Sequence, residues 1–289
     1  MISIPQRLLH QPFIQQILSD GNSFILKKQL SEPAVNREGY ISKAVLSMVT
    51  KGCQQITTCE EQIIQIPAGT MTFLPKGLYN VSDLFTNNEG FESILFFISD
   101  DVITHFLEQA PFASGVSLKP TSHLSFVEVS LVMGYFQGLV RILPKIPLIQ
   151  PAFIQLKMLE LLYLLAAQNT TFPYFLCQAQ QGASRNIKTF MEANYDKPLR
   201  VEDYAYLTGK SVSTFRREFK ARFDNTPQKW LIEKRLDKAY QVLIEAESSV
   251  TQIAYDTGYD NVSHFIKAFK KKFQLTPKQL LQEHKNVKY

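Results

Sequence analysis

The chain has 289 residues, 45% hydrophobic and 20% charged, with 14 prolines and 12 glycines. That length suits two domains of roughly 100–200 residues each, and the composition excludes a disordered or collagen-like chain. The net charge of +5 is unevenly held, because residues 1–183 carry 11 Lys and Arg against 13 Asp and Glu while residues 184–289 carry 20 against 13.

A near-neutral half joined to a basic half points to a polyanion as the partner of the basic part. Cys53, Cys59 and Cys177 are too few and too scattered for a disulfide framework and lack the paired spacings of a zinc site. The first residues, MISIPQRLLHQ, show no basic stretch followed by a long apolar run, so a signal peptide is not expected. The most apolar segment, 159–167, is broken by Glu160 and falls far short of the roughly 20 residues of a membrane span. No membrane partner and a cytoplasmic location are expected.

Residues 23–98 read as short strands. Segments 44–49, 62–66, 71–74 and 93–98 are β-rich and separated by Gly, Pro and Asn turns, and 66–77 is a strand–turn–strand–turn run. No histidine lies between His10 and His105, so the clustered ligands of a metal site are missing. No metal, cofactor or catalysis is expected, and His105 and His123 read as surface or packing residues. Two helices are predicted next, over 122–143 and 149–167. The second is apolar around much of its circumference, so it is either sandwiched between the strands and a neighbour or shared as a seam between two chains. Residues 169–183 read as a linker with an apolar centre at 172–176. The expected domains are therefore 1–168 and 184–289, joined by 169–183.

The basic half repeats itself. Val201, Ala205, Tyr206, Thr208 and Gly209 recur 49 residues later as Val250, Ala254, Tyr255, Thr257 and Gly258. Phe215, Phe219, Lys220, Phe223, Thr226 and Pro227 recur after 50 as Phe265, Phe269, Lys270, Phe273, Thr276 and Pro277. A turn absorbs the extra residue. Each copy predicts a short helix, a glycine turn, and a second helix with an i, i+4, i+8 phenylalanine stripe; in the first copy Ser211 or Ser213 can cap that second helix. Off the stripe lie Arg216, Arg217, Lys220 and Arg222 against Glu218, and in the second copy Lys267, Lys270, Lys271 and Lys272 with no acid between Asn261 and Phe273. Thr-Pro opens the helix that follows each copy, and the one from Pro227 joins the two. One such helix alone would read as the solvated face of a small bundle. Two with the same stripe and the same one-sided charge are what a reader of double-stranded DNA needs, with arginine bonding base edges and lysine neutralising phosphates.

From Ile187 to Leu281 the sequence resembles the AraC/XylS-type transcription regulators. The most specific part is Ile253-Ala254-x3-Gly258-Tyr259-x3-Ser263-x-Phe265-x-Lys267-x-Phe269-Lys270, continuing to Thr276-Pro277. The resemblance implies two helix-turn-helix units on a rigid linker helix, with the family's linker arginine at Arg235. It implies base contacts from Ser213, Arg216 and Arg217 and from Val262, Ser263, Ile266 and Lys267. Backbone contacts are expected from Thr214, Lys220, Arg222, Lys270 and Lys271. Two positions depart from the family pattern: the usual glycine before Thr-Pro is Asp224 in one copy and Gln274 in the other. Gln accepts a left-handed cap less readily than Asp, so the second helix end is expected to differ locally. Apolar Val262 and Ile266 also leave the second unit with less base-specific chemistry than the first.

The resemblance extends to the strand-rich half, which looks like the small cupin-type barrel that many members carry, and it implies dimerisation through the helices that follow. Residues 156–162 are similar to a segment of members that activate type III secretion genes, and no function is read from that likeness. The fold expected is α+β in two domains: an amino-terminal cupin-like β-barrel with flanking helices, then an all-α domain of two helix-turn-helix units joined by a linker helix. The expected function is sequence-specific transcription regulation, more in the manner of an activator, with RNA polymerase as a partner and a small molecule or protein acting on the amino-terminal domain. The competing reading is a cupin-type ligand-binding or enzymatic module carrying a DNA-binding tail.

Overall fold

The computed structural model describes residues 2–6, 8–85, 90–110, 122–127, 129–146, 151–182, 185–245 and 249–287. They form two units, Ile2–Gln181 and the remainder from Gly182 on.

The first unit opens with ten strands: β1 (Ile2–Ile4), β2 (Ile14–Ser19), β3 (Phe24–Leu30), β4 (Ala34–Ile41), β5 (Ala44–Lys51), β6 (Cys53–Thr58), β7 (Ile63–Pro67), β8 (Thr70–Leu74), β9 (Gly77–Leu84) and β10 (Phe91–Ile98). Then come α1 (Asp100–Gln109), β11 (Leu124–Phe126), α2 (Ser130–Ile142), α3 (Pro151–Gln168) and α4 (Phe172–Gln181). The strands do not close into a single barrel. They make a five-stranded sheet, β1-β4-β9-β6-β7, and a six-stranded sheet, β11-β8-β5-β10-β3-β2. Strand period explains the layering. In β3, Phe24 and Leu26 face the other sheet while Ile25 faces the helices; in β10, Phe91, Leu95 and Phe97 face one way and Ile94, Phe96 and Ile98 the other. The six-stranded sheet is thus buried on both faces, which is why β10 reads as a continuous apolar run. The five-stranded sheet is covered on one face, and β7 alternates accordingly, with Ile64 and Ile66 buried and Ile63 exposed.

Two expectations change here. The helix expected over 122–143 begins only at Ser130, because Leu124–Phe126 pairs with β8 at the sheet edge. The expected linker is largely α4, whose Phe172, Phe175 and Leu176 recur at i, i+3 and i+4 and are buried against β8 and α1. The unit boundary falls at Gln181, and the expected start at 184 lies outside the described residues.

The second unit is helical: α5 (Ile187–Asn194), α6 (Val201–Leu207), α7 (Val212–Phe223), α8 (Pro227–Glu245), α9 (Val250–Asp256), α10 (Val262–Phe273) and α11 (Pro277–Val287). The repeated phenylalanines are its core. Phe215 and Phe219 are fully buried, with Phe223 stacked 4.3 Å from Phe219 and Trp230 of α8 against both. Phe265 and Phe269 are likewise buried, and there Tyr240, further along α8, packs 4.8 Å from Phe273. One helix therefore completes both cores.

Candidate nucleic-acid interface

The repeat positions serve turn chemistry. Thr208 and Thr257 are buried, and each hydroxyl donates into the turn before it, to Tyr204 O and Ala205 O in one copy and to Ile253 O and Ala254 O in the other. This ends α6 and α9 with neither buried threonine hydroxyl left unpaired. Gly209 and Gly258 then turn the chain at φ 67° and 85°. Ser211 caps α7 through Thr214 N–H, and Asn261 caps α10 through His264 N–H. Each second helix is thereby started at a fixed point after its turn.

Arg235 of α8 locks the units to one another. Its guanidinium donates to Tyr195 O at 2.7 Å, Lys197 O at 2.5 Å and Leu199 O at 3.2 Å, in the loop before α6. It also abuts Gly258 of the second unit, where an added Cβ would stand 2.9 Å from Arg235 Nε. Lys238 pairs with Asp196 at 2.5 Å; burial works against its charge, but the bond to Asp196 and that carboxylate's charge hold its pKa above the usual value. Burial pushes the Tyr204 phenol up, and its hydroxyl donates to Asn194 O.

On α7 the exposed residues Ser213, Arg216, Arg217 and Lys220 follow one another at helical spacing along one face. Arg222 is exposed but lies nine residues from Ser213, about half a turn around the helix, so it does not join them. Its counterpart Lys272 turns the same way, to Asp237 and Glu233 O of α8. Thr214 is half-buried and its hydroxyl accepts from Ser211. On α10, Ser263, Lys267, Lys270 and Lys271 are exposed on one face. Val262 and Ile266 are half-buried and pack against the second core, which accounts for their apolar character without a base contact. Gln274 and Asp224 both adopt left-handed caps, at φ 62° and 48°, so the expected difference between the helix ends is absent. The Gln274 amide donates to Lys271 O at 3.2 Å.

Two residues of this surface were not singled out from sequence. His264 is exposed beside Ser263, one turn before Lys267. Glu202 of α6 pairs with Arg216 at 3.3 Å across the turn, a contact 14 residues apart that no periodicity signals. Arginine and lysine on such a face can bond base edges and phosphates.

Residues 204–283 match a helix-turn-helix domain family, and residues 44–173 match the ExsA N-terminal regulatory domain family. Over these two stretches the chain is similar to AraC-type transcription regulators. Among curated AraC-family relatives, it is 31% identical over 127 residues to the virulence regulon transcriptional activator VirF of Yersinia enterocolitica, covering 43% of this chain and 47% of VirF. It is 24% identical over 159 residues to the HTH-type transcriptional regulator ExsA of Pseudomonas aeruginosa, covering 55% and 57%. The chain thus spans about half the length of these relatives. Among solved structures, an apo ToxT variant from Vibrio cholerae aligns with 91% of this chain and 98% of its own at 12% identity and a TM-score of 0.48.

Proposed function

We propose that this chain is a non-enzymatic, sequence-specific DNA-binding transcription activator of the AraC type, controlled through its amino-terminal unit and acting with RNA polymerase in the cytoplasm. One observation carries the reading: two capped recognition helices, α7 and α10, each with an exposed basic face, hang on one shared helix. The 19 residues of α8 span about 28 Å at roughly 1.5 Å each, close to the roughly 34 Å of a DNA turn. Successive major grooves on one side of the duplex are then within reach of one chain. Ser213, Arg216, Arg217, Ser263 and Lys267 are the proposed base readers, with His264 beside them. Lys220, Lys270 and Lys271 are the proposed phosphate contacts. The word activator rests on relatives such as VirF. The sandwich supports a cupin-like regulatory frame, since cupins are double-sheet folds. A homodimer seam is proposed on α2 and α3, where Leu131, Val140, Ile142, Leu156 and Tyr163 are exposed. No helix of the described residues is long and apolar enough to cross a membrane.

The test is fluorescence anisotropy of the full chain on random and genomic duplexes, with footprinting of the best site. Affinity is expected to fall by orders of magnitude between about 50 and 200 mM salt, with two protected segments about 10 base pairs apart. Absence of salt-dependent binding to any duplex would overturn the reading.

A further inference from the structure

A cavity of about 340 Å³ lies within the amino-terminal unit, lined from both of its sheets. Its wall is mostly apolar, including Ile41, Val45, Ile56, Leu74, Leu95 and Phe97. Set into that wall is a connected polar chain. Lys28 pairs with Asp83; Gln54 donates to Asp83 Oδ1 at 2.8 Å; Ser47 donates to Gln54 Oε1 at 2.7 Å. All four are buried, none more than 6% exposed. Ser93, the register partner of Lys28 in β10, is fully buried with an unpartnered hydroxyl. Burying an ion pair gains little stability over an apolar replacement, so the presence of this one beside a cavity calls for another use.

The charges of the lining set the ligand class. Lys28 and Arg37 are balanced by Asp83 and Glu38. The buried cation is already paired, and Arg37 is exposed, its guanidinium over the Phe13 ring at 5.4 Å. A carboxylate entering this cavity would meet no uncompensated buried positive charge and would bear its own desolvation cost. An uncharged polar group meets both kinds of partner, since an ammonium has three donors and a carboxylate about four acceptor sites. We propose that the cavity binds an uncharged, largely aliphatic molecule whose single hydroxyl, carbonyl or amide group hydrogen-bonds to the Lys28–Asp83–Gln54–Ser47 chain. At roughly 30 Å³ per water-sized group the space suits on the order of ten non-hydrogen atoms. That such a molecule regulates the protein rests on the regulatory reading of the amino-terminal unit; that it binds does not.

The experiment is titration calorimetry of the full chain with two probes of equal length, 1-decanol and decanoate, at pH 7. One molecule of 1-decanol per chain is expected, bound at least tenfold more tightly than decanoate. Replacing the pair together, Lys28→Met with Asp83→Leu, should erase that preference. Leu8→Trp, at a half-exposed position of the lining, should weaken 1-decanol at least tenfold without changing the circular dichroism of the free chain, and keeps the test open if the double variant does not fold. Equal affinity for the two probes, no saturable binding of either, or indifference to Leu8→Trp would overturn the proposal. DNA affinity without probe is measured in parallel, so failure of the DNA reading is seen separately from failure of the cavity.

Discussion

The two helix-turn-helix units share a frame and differ in what they present to solvent. Most identities between the copies fall where the frame needs them, with Ala205 and Ala254 buried, Thr208 and Thr257 closing a turn from inside and the phenylalanines in the cores, while Lys220 and Lys270 keep one matching cation on the exposed faces. The surface has diverged. Where α7 has Arg216 and Arg217, α10 has Ile266 and Lys267; where α6 has Glu202 facing Arg216, α9 has Thr251. Arginine presents a planar fork that matches a guanine edge, whereas lysine is a flexible point charge. The proposed division of labour is that the first unit reads more and the second holds more. Duplication fixed the spacing and left the chemistry of each face free to change.

The largest effect should come from the turn that couples the units. Gly258→Ala would strain a residue at φ 85° and set its Cβ 2.8 Å from Asp196 O and 2.9 Å from Arg235 Nε. A loss of about 3 kcal/mol is expected in urea denaturation. Gly209→Ala, at φ 67°, should lose about 1–2 kcal/mol from its backbone conformation. Equal losses would remove Gly258 as the point where the second unit leans on the Arg235 lock.

Next come the faces themselves. Arg216→Ala and Arg217→Ala should each cost about 1–3 kcal/mol at the preferred site and relax base choice there. Lys270→Ala and Lys271→Ala should weaken all duplexes alike and lower the salt slope by about one. Anisotropy titrations on specific and random DNA at several salt concentrations measure both. Uniform losses for the arginine variants would dissolve the contrast between the units.

The frame of the second unit was legible in sequence because a repeat with one slip in register exposes turn, stripe and cap together. The chemistry of its faces was less so. Val262 and Ile266 sit at positions the family reads with, but only burial shows them packed on the core. Arg222 falls in the same basic run as Arg216, and helical phase alone separates them. In the amino-terminal unit, strand content was visible but sheet partition was not, since which strands pair is decided by contacts distant in sequence, such as β1 with β4 and β11 with β8. The cavity was invisible for the same reason: Lys28 and Asp83 are 55 residues apart. Residues 172–181 were misjudged because proline and polar neighbours outweighed a three-residue apolar stripe.

A smaller effect concerns the two helix ends. Both caps are left-handed, but Gln at φ 62° bears a cost that Asp at φ 48° largely escapes. Gln274→Gly should stabilise the chain by about 0.5–1 kcal/mol, the relief of strain being partly offset by glycine's greater freedom when unfolded. Asp224→Gly should gain at most a few tenths. Thermal denaturation of both variants decides it, and a larger gain at Asp224 would reverse the ranking.

The smallest effect on stability should accompany Glu202→Gln, which tests the asymmetry most directly. The Glu202–Arg216 pair is exposed, with both side chains more than half accessible, so its loss should move stability by less than about 0.5 kcal/mol. Its effect on DNA is argued differently. A carboxylate beside the reading face repels phosphate everywhere and, by holding Arg216 at 3.3 Å, restrains the side chain in one orientation. Removing it should strengthen binding to random DNA several-fold at low salt while leaving the preferred site little changed, so the ratio between them falls. Thr251→Glu, placing an acid at the matching position of the second unit, should weaken both duplexes together, because no arginine there awaits orientation. If Glu202→Gln instead raises affinity equally on both duplexes, Glu202 acts only as a repelling charge and the first unit owes its selectivity to its arginines alone.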